Sequence, residues 1–411
     1  MFRSDMFHEV VNPAGLTEAD LAVAVISRED AAHIALPTMK TALGLARFYP
    51  DLKSVVLNCD NSSRDGTREA FFAAEVASPR IYAASPPDLP GRGANIRNAL
   101  ALAAGLRVKA LAIIDANLLS IKTSWIKSLF DPILNQGAEY VAPLYVRHKN
   151  ENPISRWLAY PLLRAVLGRR VLQPVEVDHA FSSRLIDIYN DADFEPEDAG
   201  HRADLRFLAL AVKHQARICQ SFMAHPRIAA RSESADDLPR VFVQAVRALF
   251  ALLAETRDYW PGVSRSRPTA LAGVDEEIKT PPPQIEMDSA RLAARFVELG
   301  REHQSAWARC LSPQLAGGLA RELAAATRGE APRVTVDLWR AGLYEASAIY
   351  GKSDAAGAEI TAALAPVFLG RCLMALETDQ GLTARQLNAQ AEEMALNFER
   401  AKADLVALWR A

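Results

Sequence analysis

Cysteine is scarce in this sequence. There are 4 among 411 residues, at Cys59, Cys219, Cys310 and Cys372. They lie far apart and form no CxxC pair, which argues against a zinc site or a disulfide framework and for buried thiols. Excess charge of either sign is also lacking. Lys and Arg number 47 against 49 Asp and Glu, a net charge of −2. No basic field is available to hold nucleic acid, which is not an expected partner. No apolar run is read as approaching the ~20 residues that span a bilayer, so no membrane span is expected. Residues 1–20 are mixed and acidic, without the basic, apolar and small-residue order of a secretory signal. The expectation is a cytoplasmic protein. Internal repeats and low-complexity tracts are absent too.

What is there is apolar and ordered. Half of the residues are hydrophobic, enough for a sizeable core, and the length predicts two or three domains at roughly 100–200 residues each. Short apolar runs at Leu21–Ile26, Ser54–Leu57, Arg80–Ala83 and Lys109–Ile114 read as buried strands. Helical spacing covers Ala31–Tyr49, the segment opening at Asp65–Gly66, and Asn95–Leu106. Strands alternating with helices predict a doubly wound parallel sheet, whose ligands bind at the carboxyl ends of the strands. Further strands are expected at Tyr140–Ala142, Phe181–Ser183 and Arg217–Phe222, around helices Ile154–Leu167 and Ala203–Lys213. From Leu238 onward the pattern is helical: Leu238–Tyr259, Ser289–Ala308, Pro313–Arg328, Val334–Tyr350, Ala355–Thr378 and Thr383–Trp409, with Pro261–Pro283 as an extended connection. The expected division is 1–235 for an α/β domain and 236–411 for an all-α C-terminal domain. Its Ala-rich helices suit close packing and a homodimer contact.

The strand ends carry the chemistry. Asn58-Cys59-Asp60 is followed by Asn61-Ser62-Ser63-Arg64-Asp65-Gly66-Thr67. Asp60 is placed to accept hydrogen bonds from a nucleoside or to order the loop, and Asp65 to cap the next helix. Gly91-Arg92-Gly93 opens a helix, where backbone N–H groups and a guanidinium suit a diphosphate. Arg97 faces the same ligand or solvent. Asp115-Ala116-Asn117 ends a strand; side chains i and i+2 point the same way, to share a hard cation or to form a polar turn. Ser27 closes the first strand. Asp178, Asp204, His201 and His225 are candidate acid/base or ligand groups, and Arg147-His148-Lys149 is a basic triplet suited to an acidic acceptor.

This order of motifs resembles GT-A-fold, family-2-like glycosyltransferases, and more narrowly the bacterial glucosylglycerate and mannosylglycerate synthase group. The resemblance runs over nearly the whole chain. It is carried by Val141–Lys149, Tyr160–Gly168, Gln173-Pro174, Ala180–Ser182, Cys219-Gln220, Asp258–Trp260 and Phe368–Arg371. It implies a GT-A nucleotide-diphospho-sugar transferase domain followed by the helical one. The implied activity is transfer of a hexosyl unit from a nucleotide-diphosphate sugar to a small, acidic acceptor with retained configuration. The nucleotide-sugar contacts implied are Ser27, Asp60, Arg92, Gly93, Arg97 and Asp115. Arg147, His148 and Lys149 would contact the acceptor, Asp204 and Asp178 would be catalytic, and Asp115, Asn117 and His225 would hold Mg²⁺ or Mn²⁺ on the diphosphate.

The chain departs from the group's pattern at four places. Asn117 stands for the second metal-site aspartate, Glu176-Val177 for a glycine pair, and Arg206 for an aromatic residue. The late metal-ligand histidine aligns near Ile228, so His225 serves only if the loop is shifted. These departures support an alternative expectation, a catalytically degenerate relative that binds a nucleotide or sugar as a regulatory module.

Overall fold

The computed structural model of the protein describes residues 7–89, 91–192, 201–230, 235–273 and 277–411. The side chain of His201 lies outside the described residues. The chain forms two compact units. The first comprises Met1–Arg147, Gln173–Ser232 and Thr269–Pro283; the second comprises His148–Leu172, Glu233–Pro268 and Gln284–Ala411. The division is interleaved, with 148–172 grouped with the helices and 269–283 with the sheet.

Among the described residues the first unit has nine strands: β1 Glu9–Val11, β2 Leu21–Ser27, β3 Ser54–Asp60, β4 Arg80–Ala84, β5 Ala110–Asp115, β6 Tyr140–Leu144, β7 His179–Ser182, β8 Ile218–Phe222 and β9 Ala270–Ala272. They form one sheet in the order β1-β4-β3-β2-β5-β7-β6-β8-β9. The sheet is mixed rather than wholly parallel. The β4-β3-β2-β5 core is parallel, whereas β7 runs antiparallel to both β5 and β6, and β1 antiparallel to β4. The connection expected at Pro261–Pro283 contributes the short edge strand β9, parallel to β8.

Every residue of β2 is buried, as its run of Leu, Val, Ala and Ile requires of a strand covered on both faces. Leu21, Val23 and Val25 share a core with Ala42 and Leu45 of α1 (Ala35–Phe48) and with Trp125, Ile126 and Leu129 of α4 (Thr123–Gln136). The alternate residues face the other side, where α3 (Arg92–Gly105) packs on β2, β3 and β5. Gly44 sets the approach of α1 to α4: a Cβ there would lie 2.6 Å from Ile126 Cγ1 and 2.8 Å from the Thr123 carbonyl oxygen. The unit is completed by α2 (Thr67–Ala73), α6 (Ser183–Asp191) and α7 (His201–Lys213).

The second unit is helical. A single π-turn at Ser155–Ala159 leads into α5 (Tyr160–Leu167). Then follow α8 (Leu238–Glu255), α9 (Ser289–Cys310), α10 (Pro313–Thr327), α11 (Val336–Tyr350), α12 (Asp354–Thr378), α13 (Ala384–Arg400) and α14 (Lys402–Arg410). The span Thr383–Trp409, expected as one helix, breaks at Ala401, and α13 begins with a capping box between Thr383 and Gln386. The absence of a long apolar run needs correction. α12 has 25 residues and is long and apolar enough to cross a membrane, but 72% of its apolar window is buried inside the protein. It packs against α8, α9 and α11, with Phe368 stacked on Phe242 at 4.5 Å, as a core helix does.

Candidate functional site

From β2 the chain winds outward through β3 and β4, then returns to the other side of β2 to form β5. The switch point of the sheet therefore lies between the carboxyl ends of β2 and β5, where crevices form in such sheets. Register places Ile26 beside Asp115 and Ser27 beside Asp60, so the polar strand ends predicted from the sequence stand in one row.

Asp60 is not available to a nucleoside. It is fully buried, and its carboxylate accepts four hydrogen bonds, from Ser27 Oγ at 2.8 Å, Ser63 N at 2.8 Å, Ser63 Oγ at 2.6 Å and Tyr82 Oη at 2.9 Å. A carboxylate offers about four lone-pair sites, so this one is saturated and orders the loop. Ser27 is likewise buried and engaged, accepting from Asn58 Nδ2 at 2.8 Å. Asp65 is expected to cap α2, but the cap position is Gly66, with no side-chain capping bond; the Asp65 carboxylate accepts from Thr67 N at 3.1 Å and from Ala31 N at 2.9 Å.

The glycine loop is pinned from β3. Gly91 N donates to Asn61 Oδ1 at 2.9 Å, and Gly91 has φ +117°, a conformation open to glycine. Gly93 is buried in the first turn of α3. Arg92 Nη2 donates to the Val177 carbonyl at 2.8 Å and to Asp204 Oδ1 at 3.1 Å. The Nε atoms of Arg92 and Arg97 are buried without a hydrogen-bond partner. Arg92 is the first residue of α3 and Arg97 the sixth.

The loop before β7 joins these pieces. Gln173 clamps it to β6, accepting from Tyr145 N at 3.0 Å and donating to Tyr145 O at 2.9 Å. Three consecutive residues then each receive a different arginine. Glu176 pairs with Arg147 at 2.7 Å, the Val177 carbonyl takes Arg92, and Asp178 takes Arg227 Nε at 2.8 Å. Arg227 also reaches Asp115 Oδ2 through Nη2 at 3.2 Å. Asp178 further accepts from Tyr145 Oη at 2.7 Å and from Asp115 N at 3.1 Å.

The expected catalytic carboxylates, Asp178 and Asp204, are buried and ion-paired. Burial, the largest single influence, pushes Asp178 and Asp204 upward in pKa, but the charge of Arg227 on the first and of Arg92 on the second, together with the hydrogen bonds each carboxylate accepts, holds both below the usual carboxylate range. Their side chains are 2% and 3% exposed. Each is bonded to a guanidinium, Asp178 to Arg227 and Asp204 to Arg92. His179 Nε2 lies 3.7 Å from Asp204 Oδ1, beyond hydrogen-bond length.

The expected metal site does not fit a divalent ion. In its favour, Asn117 Oδ1 is buried without a partner. Against it, Asp115 is already paired with Arg227, Asn117 adds no charge, and His225 Nδ1 is bonded to Thr280 Oγ1 at 2.9 Å. Among the described residues, no group of three or more His, Cys, Asp or Glu is placed to hold a metal.

The basic triplet is divided between the units. Arg147 belongs to the first and is paired with Glu176. His148 and Lys149 belong to the second, where His148 Nδ1 accepts from Asn150 N at 3.3 Å and Lys149 Nζ donates to the Asp379 carbonyl at 3.3 Å. Sequence reasoning missed Arg227 and Tyr145. The signal for Arg227 was its place one residue before Ile228, where the resemblance puts a metal-ligand histidine.

No family model matches the chain, and no curated protein matches it. Among solved structures it is similar to glucosyl-3-phosphoglycerate synthase from Mycobacterium tuberculosis in complex with Mn²⁺, UDP and glucosyl-3-phosphoglycerate, at 20% identity over 57% of this chain and 80% of that one, TM-score 0.44. The same synthase with Mn²⁺, UDP-glucose and phosphoglyceric acid gives 19% identity over 57% and 79%, TM-score 0.42. A mycobacterial protein gives 20% identity over 57% and 74%, TM-score 0.46.

Proposed function

We propose that this protein is a nucleotide-sugar-dependent glycosyltransferase acting on a small acidic acceptor with retention of configuration. The observation that carries the reading is the attachment of Arg92 and Arg227 to adjacent residues of one loop, Val177 and Asp178, at the β2/β5 switch point. Guanidiniums there suit the negative charge that builds on a departing diphosphate. In the reaction the bond from the anomeric carbon to the phosphate oxygen breaks, a bond from that carbon to the acceptor oxygen forms, and the hydroxyl proton leaves with the diphosphate. Asp178 and Asp204 position the arginines. A cytoplasmic setting and a homodimer through the helical unit belong to the same reading, and light scattering checks the dimer. The test of activity is turnover of UDP-, GDP- and ADP-sugars with glycerate, 3-phosphoglycerate and related acids. Neither transfer nor donor hydrolysis across that panel would overturn it.

A second reading, a binding module without turnover, is favoured by one observation. Glu176 neutralises Arg147 on the acceptor side at 2.7 Å. Nucleotide binding by calorimetry without any turnover would support it over the first.

A further inference from the structure

We propose that Arg227 takes the place of a divalent cation at the strand tips, so that the diphosphate of a nucleotide donor is bound without metal. This inference rests on the transferase reading above. Arg227 lies between two carboxylates, with Nε on Asp178 and Nη2 on Asp115, and its third nitrogen, Nη1, is bound by neither. Its side chain is 12% exposed and that of Asp115 20%, whereas Asp178 is 2% exposed. The open side of the pair is therefore the Asp115 end, at the switch point. The carboxylates orient the guanidinium so that its directed N–H donors are held in place, the geometry that suits phosphate oxygens. Tyr145 Oη and the Asp115 N–H fix Asp178 from behind, so the guanidinium is oriented before any ligand arrives. Asn117 fits the same scheme: being neutral, it adds no further negative charge where a diphosphate would approach Arg227. In α3, Arg92 and Arg97 each keep a buried Nε donor without a hydrogen-bond partner.

The test uses the full chain freed of metal with EDTA. UDP, GDP and ADP are titrated by calorimetry, with and without Mn²⁺, and Mn²⁺ binding alone is followed by electron paramagnetic resonance. The expected result is that the nucleotide that binds does so with an affinity changed less than about threefold by Mn²⁺, and that Arg227→Ala weakens it by about tenfold or more. Wild-type protein leaves the Mn²⁺ signal that of the free ion, whereas Arg227→His, which removes the competing charge and adds a ligand, broadens it. Binding that requires Mn²⁺, or a wild-type Mn²⁺ site abolished by Asp115→Ala, overturns the inference while leaving the transferase reading standing. Absence of nucleotide binding under every condition removes the transferase reading itself, and the inference with it. The wild-type Mn²⁺ arm needs no variant, so poor folding of an Arg227 substitution does not rescue the idea.

Discussion

Arg227 and Asp178 form an ion pair, Nε to Oδ2 at 2.8 Å, in which the carboxylate side chain is 2% exposed and the guanidinium 12%. Removing one member of such a pair leaves the other charge in a poor dielectric. Arg227→Ala is expected to destabilise the protein by about 3–5 kcal/mol, and Arg227→Lys by less, since it keeps the charge but loses the fork. Urea unfolding followed by circular dichroism checks this. A loss within about 0.5 kcal/mol for the alanine variant, the range of ordinary surface changes, would mean the pair does not matter to the fold.

Tyr82 tests the reassignment of Asp60. Its hydroxyl donates to Asp60 Oδ2 at 2.9 Å, and burial together with that carboxylate pushes the phenol well above its ordinary pKa. Tyr82→Phe removes one hydrogen bond to a charged acceptor and is expected to cost about 1.5–3 kcal/mol. Nucleotide affinity should stay unchanged, because the carboxylate is saturated by loop and strand donors. A large fall in nucleotide affinity with no change in stability would return Asp60 to the ligand.

Glu176 tests the acceptor side. It stands at a position where the resemblance carries glycine, and it holds Arg147 at 2.7 Å. Glu176→Ala removes a negative charge and a side chain from that corner. The expected outcome is tighter binding of 3-phosphoglycerate or glycerate by about tenfold, from one added charge interaction in a partly buried place. The measurement is acceptor calorimetry, and unchanged or weaker binding argues that acids do not approach Arg147.

The strand ends were legible because period and punctuation agree there. Apolar runs closing on Asp60 and Asp115 mark buried strands, and Gly91 marks a turn before a helix. What those carboxylates do was not legible, because it depends on partners far along the chain. Asp60 is filled by Tyr82 and Ser27, and Asp115 by Arg227, 112 residues away. The antiparallel course of β7 was hidden for a related reason. Its four residues carry no sign of direction, and their pairing with β5 and β6 is set by tertiary contacts. The bounds of α12 were read to within one residue, at Ala355–Thr378, but its apolarity was underread because Ala and Gly interrupt the strongly apolar residues without ending the helix.

Acid should act in two opposed steps. Burial raises the pKa of Glu176 beyond what Arg147 offsets, so its charged form costs stability above that raised value and the cost is relieved as pH falls toward about 4.3. Asp178 and Asp204 are depressed, so their contribution is full above about 3.9 and is lost as pH falls through their native values. Urea midpoints should change little, or rise, between neutrality and about pH 4.5, then fall steeply at lower pH. Glu176→Gln should remove the first component only. A midpoint that keeps rising below about pH 4 would contradict the assignment of Asp178 and Asp204 as ionised partners.

In the helical unit, Lys402 sits 7% exposed and donates to the carbonyls of Trp260 and Val263. Burial lowers its ammonium to about 8, against the opposing pull of Glu399. The unfolded chain binds this proton up to about 10.4, so between those values the unfolded state holds more protons and stability attributable to Lys402 rises with pH. Below about 8 the full penalty of the buried charge is present. Buried Cys372, pushed up to about 12, works in the other direction over the same range, because its thiol ionises only on unfolding. The comparison must therefore be differential. Five of the 6 tryptophans, at 157, 260, 307, 339 and 409, belong to the helical unit, so fluorescence during urea unfolding reports mainly on it. The free-energy gap between Lys402→Met and wild type should shift in favour of wild type as pH rises from about 8 to 10. A gap constant with pH would show that the ammonium keeps its ordinary affinity for the proton, satisfied by the two carbonyls, and that burial does not control it.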